Sequence, residues 1–101
     1  MLFFYKVSGS SMLPYLTSGD FVIATRFHGP IKVDDLLVIN HSYYGRIIKR
    51  VKEILPDHSM LVTGDNNESI SSEQIGWIKP IHVQGKVLLS IKQKTLVNQL
   101  L

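Results

Sequence analysis

The stretch YYGRIIKRVKEIL, residues 43–55, interleaves cations with aliphatic residues from Arg46 to Lys52. Successive side chains of a strand point to opposite faces, so a run of this kind describes a strand with one wet face and one apolar face. A helix would need apolar positions at a 3.6-residue period, and no window longer than ten residues keeps one. Gly45, near the head of the run, is expected to form a bulge or bend.

Similar runs lie on both sides. LFFYKV (2–7), DFVIATRF (20–27) and DLLVINH (35–41) precede it, and SMLVTGD (59–65), IGWIKP (75–80) and HVQGKVLLSIK (82–92) follow. Gly19-Asp20, His28-Gly29-Pro30, the Gly64-Asp65-Asn66-Asn67 loop and Pro80 punctuate them. Turn residues at this spacing, between β-branched segments, predict an all-β chain folded as a small coiled barrel or sandwich.

The chain of 101 residues has the length of one domain, 1–101, with room for one core and one site. Hydrophobic residues at 45% and charged residues at 19% fit a folded protein and exclude a disordered one. The absence of cysteine removes disulfides, thiolate metal sites and cysteine nucleophiles together. Nothing calls for a metal or an organic cofactor. The net charge of +3 would suit acidic partners or an anionic membrane surface. Tyr43 and Tyr44 could stack on single-stranded nucleic acid, but the cations form no stripe, and no nucleic-acid partner is expected. MLFFYKV is too short for a membrane span or a signal peptide and reads as a first strand rather than an interfacial anchor. The closing KTLVNQLL, a short amphipathic turn or a frayed end, receives no function.

The chemistry centres on VSGSSMLPYLTSGD, residues 7–20. A serine hydroxyl is a weak nucleophile until a base takes its proton. His28, His41, His58 and His82 are available, yet none stands in a Ser-His-Asp order, and each reads as a surface or packing residue. A lysine serves instead where apolar surroundings disfavour its ammonium form. Lys49, flanked by Ile47-Ile48 and Val51, is the best placed, and strand alternation sends Lys49 and Arg50 to opposite faces. On composition alone, a solvated strand lysine is the plainer reading.

The residues Val7, Gly9, Ser11, Met12, Pro14, Leu16, Gly19 and Asp20 resemble the nucleophile box of type I signal peptidases and their soluble relatives. IIKRV (47–51) is similar to that family's general-base segment, GDNNESISSEQIGWI (64–78) to its Gly-Asp-Asn box, and VQGKV (83–87) to its closing strand. Three boxes in the family's order are far more specific than one. The resemblance implies a β fold of the kind shared by signal peptidases and the cleavage domains of SOS repressors. It implies that Ser11 attacks the scissile carbonyl and that Lys49, neutral at rest, accepts the proton. Met12 would help desolvate the lysine, and Pro14 would stiffen the nucleophile loop. The Ser11 amide would donate to the oxyanion. The second donor stays open, because Gly9 stands where some members have serine and Ser10 is an adjacent alternative. Arg50 and Asp65 match a scaffold ion pair, and Ser69 matches a serine that hydrogen-bonds the lysine. Ser71 and Glu73 stand where many members carry an Asp and an Arg, so a second ion pair is missing.

Only ten residues precede Ser11, and the short segment from Lys49 to Gly64 leaves no room for the family's usual inserted domain. The expectation is a minimal soluble endopeptidase, similar to the nickel-type superoxide dismutase maturation proteases, that removes a short amino-terminal signal or propeptide. Its substrates would carry small residues before the cut. Such an enzyme would be cytoplasmic, or membrane-peripheral if the chain is a trimmed form of an anchored protein. The alternatives are a non-catalytic β-barrel binding module and a repressor-type cleavage domain.

Overall fold

A computed structural model describes residues 1–67 and 69–93. Six strands form one antiparallel sheet: β1 (Leu2–Lys6), β2 (Phe21–Thr25), β3 (Leu36–His41), β4 (Gly45–Ile54), β5 (Met60–Thr63) and β6 (Val83–Ile91). They lie in the order β1-β2-β6-β3-β4-β5, so the last strand is inserted between β2 and β3. The chain is mainly β, as the spacing of its turns predicts. The ladders stop short of a closed ring, because no described ladder joins β1 to β5.

The long interleaved run is the strand expected of it. Its register sets Lys49 opposite Leu37 and Arg50 opposite Leu36 on β3. Of the bulge or bend expected at Gly45, the structure has the bend: at φ +73° it ends the tight β3–β4 connection and pairs with His41. The β4 irregularity comes later, between Val51 and Glu53, where the pairing with β5 slips.

His41 secures that connection. Its Nδ1 accepts the amides of Tyr43 at 3.0 Å and Tyr44 at 3.1 Å, which leaves Nε2 to donate to the Ile75 carbonyl at 2.9 Å. This histidine is a packing residue, as its place beside a turn suggests.

IGWIKP does not form a strand. Residues Ser72–Ile75 make a single helical turn, α1, and only Ile78 keeps a β-bridge, to Met60. The cause lies just upstream: the Ser71 hydroxyl accepts the Gln74 amide at 3.2 Å while the Gln74 side chain accepts the Ser71 amide at 3.3 Å, a reciprocal cap. Ser72 Oγ also donates to the Val62 carbonyl at 2.7 Å and ties the turn to β5. Four residues are too few to show a helical period. Pro80 then opens a 3-10 turn, Pro80–His82, that leads into β6. The reading of residues 94–101 lies outside the described residues.

Two apolar clusters hold the sheet. Leu37, Ile39, Val51, Met60, Val62, Ile75 and Ile78 form one, with Tyr44 and Ile47 packed against it. Val7, Met12, Leu16, Val22 and Leu36 form the other, with Tyr5 and Ile48 at its margin. Burying each such aliphatic side chain contributes roughly 1.5–3 kcal/mol. Alternation along β4 divides its residues between the clusters, Ile47 to the first and Ile48 to the second. The space where the clusters meet is left for the site.

Candidate active site

The loop from Val7 to Asp20 is closed at its base. Val7 N–H donates to the Asp20 carbonyl at 2.7 Å, and Gly19 N–H returns a bond to the Val7 carbonyl at 2.8 Å. The Asp20 carboxylate accepts from the Thr17 amide at 2.9 Å, the Gln93 amide at 3.0 Å and Lys92 Nζ at 3.2 Å. Burial by itself would raise the pKa of this carboxyl, but those bonds outweigh it and hold Asp20 below the usual carboxylate range. The sequence reading includes Asp20 in the nucleophile box without giving it a role, although an acid after Gly19 at the start of an apolar strand signals one that ties a loop.

Inside the loop, Leu16 N–H donates to the Met12 carbonyl at 2.9 Å, a helical spacing that sends both side chains inward, to 0% and 2% exposure. The Leu13–Pro14 peptide is cis. Gly9, at φ +83°, takes the left-handed conformation that glycine alone adopts without strain. Anchored by buried Met12, Ser11 stands half-buried at the rim. Its amide N–H donates to no other described residue and is free to meet an oxyanion.

Lys49 is buried to 2% exposure on β4. Burial lowers its pKa, because a dry setting disfavours the ammonium. Among the described residues it has no ion pair and no hydrogen-bond partner. Arg50 faces the other way, as alternation requires.

A cavity of about 450 Å³ opens where the two clusters meet, and Ser11, Lys49, Ser69, Met12, Tyr44 and Arg46 all line it. Gly9 and Ser10 lie on the same wall. The hydroxyl and the amine thus share one cavity, although no hydrogen bond links Lys49 to Ser11 or to Ser69.

The Gly-Asp-Asn segment fixes that wall. Gly64 lies so close that a Cβ there would stand 2.5 Å from the Ser11 carbonyl oxygen and 2.5 Å from Ser69 Oγ. Asp65 accepts two bonds from Arg50, from Nε and Nη2, each 2.8 Å, and Arg50 Nη1 donates to the Asp34 carbonyl at 3.0 Å. This two-point pairing holds the Arg50 pKa up. Asn66 contributes more than a turn: its amide donates to the Ser11 carbonyl and its Nδ2 to the Ser10 carbonyl, both at 2.9 Å. The three residues therefore approach, brace and clamp the Ser11 loop in turn. The clamp could not be foreseen from Asn66 itself, since asparagine is ordinary in any tight turn.

Pro14, exposed on the loop's outer side, does not line the cavity. In place of the missing second ion pair, Ser71 caps α1, and Glu73 is exposed in its first turn. No three His, Asp or Glu residues gather as metal ligands among the described residues.

These parts can supply a nucleophile, a base that is neutral when dry, and an oxyanion donor. A family model described as Peptidase S24-like matches residues 1–88, a span that contains every one of them. No curated protein matches the chain.

Proposed function

The chain belongs to the Peptidase S24-like family, and from that premise we propose that it is a serine endopeptidase acting through Ser11 and Lys49. Membership supports a peptidase or cleavage-domain function in general. The observation that carries the finer reading is a buried, unpaired lysine in the same cavity as a serine on a clamped loop.

In this mechanism neutral Lys49 Nζ takes the Ser11 hydroxyl proton as Oγ attacks the peptide carbonyl. The Ser11 amide donates to the resulting oxyanion, and removing one such donor costs about 10²–10³ in rate. Collapse breaks the C–N bond, and the Lys49 ammonium returns its proton to the departing amine. Lys49, neutral again, then takes a proton from water as it attacks the acyl-serine ester, which releases the acid and restores the hydroxyl. Asn66 and Gly64 keep Ser11 in place throughout, and Arg50–Asp65 braces the segment that carries them. The resemblance to signal peptidases favours removal of a short amino-terminal signal or propeptide, with small residues before the cut. No described helix is long and apolar enough to cross a membrane.

The test is a peptide library digested by the intact chain, with products mapped by mass spectrometry and kcat/KM followed across pH for the best substrate. A base that must be neutral gives a rate that rises with pH through a pKa below the roughly 10.4 of free lysine. The direction follows from the burial that lowers the Lys49 pKa. A limb centred near about 6.5 would mark a histidine base instead. An intact, folded chain that cuts no peptide would leave a non-catalytic binding module.

A further inference from the structure

We propose that this cavity selects substrates with a carboxylate side chain just after the scissile bond, and that Arg46 is the residue that reads it. The proposal rests on the peptidase reading above. Lys6, Arg46 and Lys49 line the cavity together with polar and apolar residues, and among the described residues no Asp or Glu lines it.

Arg46 is held in position. Its guanidinium carbon lies 4.5 Å from the centre of the Tyr5 ring. Tyr5 belongs to β1 and Arg46 to β4, strands that are not neighbours in the sheet, so the stacked pair spans the gap at the cavity. Stacking on an aromatic face leaves the guanidinium edge free to donate two parallel bonds to a carboxylate.

Three other cations already have acids. Arg50 is paired with Asp65, Lys92 with Asp20 and Lys86 with Asp35. Arg46 and Lys6 have no such partner among the described residues, and the register neighbour of Arg46 on β3 is Asn40, a neutral amide. A cleft with no described acid in its lining and two exposed, unpaired cations at its rim presents a positive field to whatever enters. A neutral Lys49 adds no charge of its own, which leaves Arg46 and Lys6 to set the preference.

The experiment compares peptides that differ only in the residue just after the cut, Glu, Ala or Lys, on the intact protein, Arg46→Gln and Arg46→Glu. The expected wild-type preference for Glu over Lys is about three- to tenfold in kcat/KM, the scale of one charge pair at an exposed guanidinium. The ratio should fall towards unity in Arg46→Gln, reverse in Arg46→Glu, and shrink with added salt. A wild type indifferent to charge, or a ratio unchanged in both variants, would overturn the assignment.

Binding separates this inference from the peptidase reading. Fluorescence anisotropy of the same Glu and Lys peptides on Ser11→Ala needs no turnover. Tighter binding of the Glu peptide, weakened by adding Arg46→Glu, supports the site even if no cleavage occurs. Equal affinities would reject it even if cleavage is robust. Should Arg46→Glu fail to fold, Lys6→Gln on β1 gives the same reading with a smaller change in ratio.

Discussion

Ser11→Ala and Lys49→Met are each expected to lower peptide cleavage by at least about 10³-fold, because nucleophile and base act as a unit and neither step proceeds without its partner. Their effects on stability should diverge. The Ser11 side chain makes no hydrogen bond to a described residue, so its loss should leave the unfolding free energy within about 0.5 kcal/mol. Lys49 is different: the residue is 2% exposed and its amine has no described hydrogen-bond partner, but the amine faces the cavity and is not sealed off from it. Partial desolvation of the amine is unfavourable, so an apolar side chain of similar length should leave the protein at least as stable as the wild type.

The linkage sign gives a second measure. Burial depresses the Lys49 pKa in the folded state, so between that value and the free-lysine value the unfolded chain binds the extra proton. Stability of the wild type must therefore rise with pH across that window and fall as pH drops through the folded pKa. Urea denaturation at a series of pH values should show this slope in the wild type and its loss in Lys49→Met. A Lys49→Met variant less stable than wild type, or a wild-type curve without the slope, would refute the dry neutral amine.

Gly64→Ala should damage the enzyme through geometry alone. The added methyl would meet the Ser11 carbonyl oxygen and Ser69 Oγ at 2.5 Å each, and the first of these is backbone and cannot rotate away. Either the Gly64 segment or the nucleophile loop must shift, and the Asn66 bonds to the Ser10 and Ser11 carbonyls pass the shift on. Displacing a reacting group by about 1 Å costs on the order of 10²-fold. Overpacking should cost about 1–3 kcal/mol as well. Steady-state kinetics should show the loss mainly in kcat, with a melting curve still cooperative. Full activity in Gly64→Ala would mean that this contact does not position Ser11.

Much of the fold is legible because its strands announce themselves. The interleaved run at β4 places Lys49 and Arg50 on opposite faces, and one is buried while the other pairs with Asp65. Other parts escape a linear reading for physical reasons. The α1 turn depends on a reciprocal Ser71–Gln74 cap inside a stretch whose aliphatic and aromatic residues suit a strand equally well. Asn66 acts on carbonyls 56 and 55 positions away in sequence, and no local pattern encodes such a partner. The pairing of Arg46 with Tyr5 likewise exists only once the sheet has curled.

The insertion of β6 between β2 and β3 bears on when the enzyme can first act. Ser11, the proposed nucleophile, hangs from the β1–β2 hairpin, Lys49, the proposed base, sits in the β3–β4–β5 meander, and among the described strands β6 alone is hydrogen-bonded to both. A chain still emerging from the ribosome carries both reactive groups before the strand that unites them has been made. We expect nascent chains ending before Val83 to be proteolytically silent, so that the cell is spared a half-finished peptidase. Ribosome-arrested chains of graded length, assayed on a fluorogenic peptide, would reveal activity only after β6 has cleared the exit tunnel, and cleavage by the shorter ones would contradict this timing.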